Sequence, residues 1–177
     1  MVGTLVVQNL QGPAAGANAN KIIVPAGQVL DASAGFVAPA GHMIQIQYNR
    51  RQVDLQTSGT AWTNCAEIVF TPKYSNSLLE LAMDYNSGRD ANQSMQWRFY
   101  DVTQNLLLSA TGVQMSSGVY ADGDVTRHTF LHYHEPASTA SRTYRLEGRN
   151  STGSGVVWFH TYGATTSSFF VIREIKQ

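Results

Sequence analysis

The sequence predicts an all-β protein: an antiparallel jelly-roll sandwich over residues 42–177, preceded by an extended N-terminal arm over residues 1–41. Three observations carry this. Alternating apolar and polar residues recur from Gly41 onward in short runs, roughly every 8–15 residues, the spacing of sandwiches rather than of βαβ units. Gly, Asn, Ser and Pro clusters separate the runs. The first forty or so residues lack that texture, being Gly, Ala and Asn broken by Pro.

The arm holds one strand-like run, Leu5-Val6-Val7, and then QGPAAGANAN, too small in side chains to pack and too irregular for a helix. In Lys21–Ala40 a β-branched run, Ile22-Ile23-Val24, meets Pro25, and Gly27 opens a second, Val29-Leu30. Five apolar residues make no core of their own, since a core needs two packed layers. Ile22, Ile23, Val24, Val29 and Leu30 are therefore expected to be buried against another surface as an assembly interface.

In the β-domain, Ile44, Ile46 and Tyr48 alternate with Gln45 and Gln47, which predicts a half-buried strand with the apolar set inward. Trp62, Ala66, Ile68 and Phe70 share one parity of the next strand, ended by Pro72. SLLELAMDY is the one helix candidate. Leu79, Leu81, Met83 and Tyr85 alternate with Glu80, Ala82 and Asp84, and strict alternation stopped by Asn86-Ser87-Gly88 favours a strand. Met95, Trp97 and Phe99 continue the pattern. Runs at 105–110, 127–134, 142–149, 155–160 and 168–175 complete it, Tyr144 and Leu146 facing in and Arg145, Glu147 and Arg149 out. Roughly nine strands fit two packed sheets, with the jelly roll the nearest standard architecture.

Composition narrows the function classes. Twelve basic and twelve acidic residues give zero net charge, with 14% of residues charged, so electrostatic binding of nucleic acid or anionic membrane is not expected. No apolar run reaches the 18 or so residues of a membrane span. MVGTLVVQNLQG lacks the basic and apolar regions of a signal peptide. Cys65, the single cysteine, excludes an internal disulfide and reads as a small buried thiol in a chain folded in a reducing cytosol.

Chemistry-bearing clusters are few. His128, His132 and His134 in RHTFLHYHE share one strand face with Phe130 between, and same-face neighbours lie about 6.6 Å apart. His132 and His134 with a third ligand from a nearby strand or subunit would hold a metal, but structural zinc sites usually carry Cys as well, so an aromatic, polar lining is the plainer reading. Asp122-Gly123-Asp124 lacks the twelve-residue calcium-loop pattern and reads as a turn. No spacing singles out a glycosidase pair among Glu80, Asp84 and Glu135, and no P-loop or nucleophile elbow is present. No catalytic residue, metal or cofactor is expected. Trp62, Trp97 and Trp158 fall on strand parities that suggest core or subunit contacts.

The arm NLQGPAAGANANKIIVPAGQVLDASAG resembles the segment that precedes β-domains in marine and cyanobacterial phage virion proteins. GHMIQIQY, IVFTPKYSNSLLEL, HYHEPASTASRTYRLEGRN and SSFFVIREIKQ are similar, in that order, to the strands and turns that follow there. The resemblance spans nearly the whole chain through alternation and turns, with no invariant chemical group. It implies a tumour-necrosis-factor-like jelly roll, usually a homotrimer. The implied role is a non-enzymatic capsid decoration (cement) protein on the capsid surface of the virion, made in the host cytoplasm and partnered by the major capsid protein. The alternative it implies is a tail-fibre or head-fibre tip that recognises host surface glycans. The short arm favours decoration, since a fibre normally needs a long shaft ahead of its tip.

Overall fold

The computed structural model describes residues 14–16, 39–89, 94–109, 113–115, 125–153, 155–160 and 167–177. The chain divides into two units, Met1–Val37 and Ala38–Gln177, and every strand below belongs to the second. The predicted assembly residues Ile22, Ile23, Val24, Val29 and Leu30 lie outside the described residues, as do Asp122 and Asp124.

The described residues contain eleven strands and no helix. They are β1 (Met43–Arg51), β2 (Leu55–Thr57), β3 (Thr63–Phe70), β4 (Leu78–Arg89), β5 (Met95–Asp101), β6 (Leu106–Leu107), β7 (Val113–Met115), β8 (Val125–His134), β9 (Arg142–Asn150), β10 (Val157–His160) and β11 (Ser168–Ile175). All pairings are antiparallel. Two sheets result, one in the order β1-β11-β4-β10-β2 with β8 also on β4, the other in the order β3-β9-β5-β6 with β7 also on β5.

Several of these strands are halves of one. β8 takes one side of β4 from Leu79 to Gly88, so β11 and β10 must share the other, end to end. His160 Nδ1 and Ser168 Oγ, 2.7 Å apart, staple that break from within the sandwich, and the Ser168 hydroxyl also accepts from the Asn86 amide. β1 and β2 are likewise one strand alongside β11 and β10. β6 and β7 share the side of β5 that β9 leaves free. Merging the halves gives two four-stranded sheets, ordered 1-8-3-6 and 2-7-4-5 in chain sequence. That is the jelly roll the alternation predicts.

The core lies between the sheets and is largely aromatic. Leu79, Leu81, Met83 and Tyr85 of β4 are buried, which settles SLLELAMDY as a strand. They face Trp97 and Phe99 of β5 and Tyr144 and Leu146 of β9 across the sandwich. Trp97 packs edge-on between Tyr85 and Phe159, ring centroids 5.3 and 5.0 Å away. Phe99 stacks on Phe130 and Phe170 at 5.0 and 5.6 Å. Cys65 is buried, and burial drives its thiol pKa far above the ordinary range, so it is a packing residue.

β1 departs from expectation. Its apolar parity points outward, with Ile46 50% and Tyr48 65% exposed. The polar parity points inward because β1 lies over the free edge of β3 rather than over the apolar core. Asn49 Nδ2 donates to the Glu67 carbonyl (3.0 Å), an Arg51 guanidinium nitrogen to the Cys65 carbonyl (3.0 Å) and Gln45 Nε2 to the Thr71 carbonyl (2.7 Å). Side chains of one sheet thereby satisfy edge carbonyls of the other.

Candidate functional site

The two outer faces of the sandwich differ in chemistry. On the sheet of β3, β9 and β5 the outward side chains pair with one another: Arg98 with Glu147 at 2.6 Å, Arg145 with Glu67 at 2.6 Å, and Arg149 Nε with Gln96 Oε1 at 2.8 Å. Trp62 lies on this face, with the guanidinium carbons of Arg98 and Arg149 at 4.3 and 4.6 Å from its ring, and Arg98 also covers Tyr100 at 4.6 Å. Trp62 therefore does not share the inward parity of Ala66, Ile68 and Phe70, because a bulge between Asn64 and Ala66 shifts the register. The polar groups of this face are paired with one another, and its exposed large apolar residues are Val69 at 59% and Leu107 at 44%.

The outer face of the other sheet carries a continuous apolar row. Its register sets Tyr48 beside Val171, Val171 beside Ala82 and Ala82 beside Leu131, an apolar row across all four strands. Ile46 and Tyr133 (50% exposed) lie in the next row, and Leu131 itself is 46% exposed. Charges on this face pair within it, Arg173 with Glu80 and Arg127 with Asp84, while the Tyr133 hydroxyl donates to Glu80 at 3.2 Å. The small Ala82 leaves a dent of ≈ 260 Å³ lined by Ala82, Met83, Thr129, Phe130 and Leu131. An apolar row with neutralised flanks, ending in a protruding tyrosine at one edge and a dent near the other, is suited to contact with protein.

The histidines predicted to share a face do so, and that face looks inward. His134, His132, Phe130 and His128 lie opposite Leu79, Leu81, Met83 and Tyr85 of β4. His132 tilts against Phe99 at 6.5 Å and His134 meets the Tyr144 ring edge-on at 6.0 Å. Among the described residues no group of three His, Cys, Asp or Glu side chains is placed to hold a metal ion. Near His134, the Arg142 guanidinium bonds Asp101 at 3.1 Å. Burial holds the pKa of His132 below its ordinary 6.5, and burial with Arg142 does so for His134.

A pH dependence follows. Groups whose folded pKa lies below the unfolded value stabilise fully above the unfolded pKa, and that stability is lost as pH falls through about 6.5 toward the folded values. Urea midpoints should therefore fall between pH 7.5 and 5. The fall should be smaller in a His132→Gln/His134→Gln variant. An equal slope in both proteins would show that these imidazoles are not responsible.

No family model matches the chain, and no curated protein matches it in sequence. Solved structures resemble its fold at low identity. The VP2 subviral particle of infectious bursal disease virus is 14% identical, TM-score 0.44, over 83% of this chain and 41% of that one. Dimeric latent PorU of Porphyromonas gingivalis is 11% identical, TM-score 0.42, over 89% and 15%. A Bacillus endospore appendage protein, of a family of disulfide-linked pili, is 10% identical, TM-score 0.31, over 80% and 97%. This chain spans about two-fifths of the viral capsid protein it matches.

Of the sequence-predicted features, the inward residues of β4, β5 and β9, those of β3 from Ala66 to Phe70, and the single His face stand where expected. The apolar outer row was hidden, because Ala82 and Val171 read as ordinary members of strands whose partners sequence does not name. Alternation of Ile46 and Tyr48 was its visible signal, read with the wrong sign.

Proposed function

We propose that this chain is a non-enzymatic virion structural protein, a capsid decoration protein that closes into a homotrimer and seats on the head shell through the major capsid protein. The observation that carries the assembly part is the exposed row Tyr48–Val171–Ala82–Leu131, set against an opposite face whose polar groups are satisfied. Its two ends differ, so contact between copies joins the β1 half of one to the β8 half of the next. With a 120° rotation from each copy to the next, such a heterologous contact closes as a ring of three. The virion setting rests on the resemblance of the arm and strands to phage virion proteins.

Sedimentation tests the assembly. Tyr48→Asp and Leu131→Asp each place a carboxylate in the contact without touching the core. Each should weaken association by about 3 kcal/mol, on the order of a hundredfold, with far-UV circular dichroism unchanged. A wild-type monomer at micromolar concentration would refute the trimer. Imaging of particles separates the settings, since decoration requires density at many lattice positions on the head. Density only at a tail or fibre tip would favour the glycan-recognition reading, for which the aromatic pair Trp62 and Tyr100 beside Arg98 supplies stacking groups.

A further inference from the structure

The interior of the sandwich turns polar at one end, where β8 passes into β9 and β5 ends. Asp101 of β5 and Tyr144 of β9 are fully buried there, opposite one another in the strand register. The Arg142 side chain, two residues before Tyr144, is 12% exposed and bonds Asp101. His134 of β8 comes from the other sheet and meets the Tyr144 ring edge-on across the gap. Both His134 and Tyr144 have Arg142 and Asp101 as their charged neighbours.

Part of this group is paired. The Asp101 oxygens accept from the Gln104 amide at 3.0 Å and from Arg142 Nη1 at 3.1 Å. Arg142 Nη2 donates to the carbonyl of Pro136, itself buried, at 2.8 Å. Three atoms are left over. His134 Nε2, Arg142 Nε and the Tyr144 hydroxyl are each buried without a hydrogen-bond partner among the described residues. The guanidinium stands beside the hydroxyl without meeting it in bonding geometry. Buried polar atoms are nearly always bonded, to protein or to ordered water. Three such orphans on neighbouring side chains mark a place where a small molecule is held.

Charge and hydrogen-bond chemistry narrow what that molecule is. The Arg142 charge is met by Asp101, and burial beside the guanidinium keeps His134 neutral at pH 7. With no net charge, the group selects neither an anion nor a cation. Arg142 Nε only donates, the Tyr144 hydroxyl does either, and an imidazole nitrogen without hydrogen only accepts. We infer that one buried water is bound between His134 Nε2, Arg142 Nε and the Tyr144 hydroxyl, joining the two sheets at this end of the sandwich. The water accepts from Arg142 Nε–H and from the Tyr144 O–H, and it donates to His134 Nε2. Three hydrogen bonds are the usual number for an internal water. The arrangement also fixes the imidazole tautomer, with the His134 hydrogen on Nδ1. It holds whether or not copies of the chain form a ring.

Crystals of the full-length chain grown near pH 7.5 test the site. One density peak should lie within about 3.2 Å of all three atoms. An anomalous signal at that peak after a bromide soak would identify an anion and overturn the inference. So would three side chains that close directly on one another with no peak between them. Nitrogen-15 spectra of the same chain in solution give an independent reading. The His134 Nε2 resonance should be that of an unprotonated nitrogen, with the hydrogen on Nδ1. A His134 protonated at Nε2 would overturn the arrangement, since water would then face three donors.

Discussion

Replacing Glu174 by Ala is expected to cost about 4 kcal/mol of stability, a large share of what a domain of this size possesses. The carboxylate is fully buried on β11, and it gathers donors from two distant parts of the chain. Its Oε1 accepts from the Ser77 hydroxyl (2.5 Å) and from the amides of Lys73 (2.8 Å) and Tyr74 (3.1 Å), while Oε2 accepts from Gln45 Nε2 (2.7 Å). Alanine leaves these donors facing a void, and each stranded buried donor costs about 1–3 kcal/mol. Glu174→Gln keeps one acceptor oxygen and should lose about half as much. A melting temperature lower by roughly 10 °C for the alanine variant, with glutamine intermediate, is the expected readout. Equal losses in both variants would mean that the hydrogen bonds to Glu174 contribute little and only its volume counts.

The second large effect comes from a single methyl group. A Cβ at Gly148 would stand 2.4 Å from Phe159 Cε1 and 2.6 Å from its Cδ1, far inside contact distance. Phe159 cannot step aside, being fully buried and held against Trp97. Gly148→Ala should therefore destabilise by about 3 kcal/mol through overpacking, although Ala suits a strand better than Gly does. Phe159→Leu, itself costly for the lost ring, should recover part of that loss in the double variant, a coupling of about 1 kcal/mol or more. Denaturant midpoints of the four proteins give the coupling directly. Strict additivity would place the Gly148 effect elsewhere than at Phe159.

The residues that were legible in the sequence are those governed by their own strand. Alternation in β4, β5 and β9 states which side chains are apolar, and in a sandwich the apolar side is the inner one wherever another sheet's core lies beneath. β1 breaks that rule because what lies beneath it is an edge of backbone carbonyls, which call for Gln45, Asn49 and Arg51. A sequence does not reveal which strand ends up over an edge. The same limit hid Trp62, turned outward by a bulge, and Gly148, whose reason is a phenylalanine eleven residues further along the chain. Glu174 reads as one more polar residue at the end of a strand. Its burial follows from the turn at Lys73 and Tyr74, which alternation does not predict. The His face was visible as a face, but its direction was not, since imidazole suits either side of an edge strand.

The pairing of β1 with β11 has a consequence for how the chain reaches this state. Among the described residues the first long strand, β1, is hydrogen-bonded to the last, β11, so its sheet cannot close until β11 has been synthesised. Loop-closure entropy for so distant a pair must be met before the contact returns anything, which makes acquisition of the fold slow. Until then the nascent chain carries Ile46 and Tyr48 on an unpaired strand, and Gln45, Asn49 and Arg51 have no carbonyls to cap. Arrival of β11 then both completes the sheet and, through Glu174, fastens the Lys73–Tyr74 turn into place.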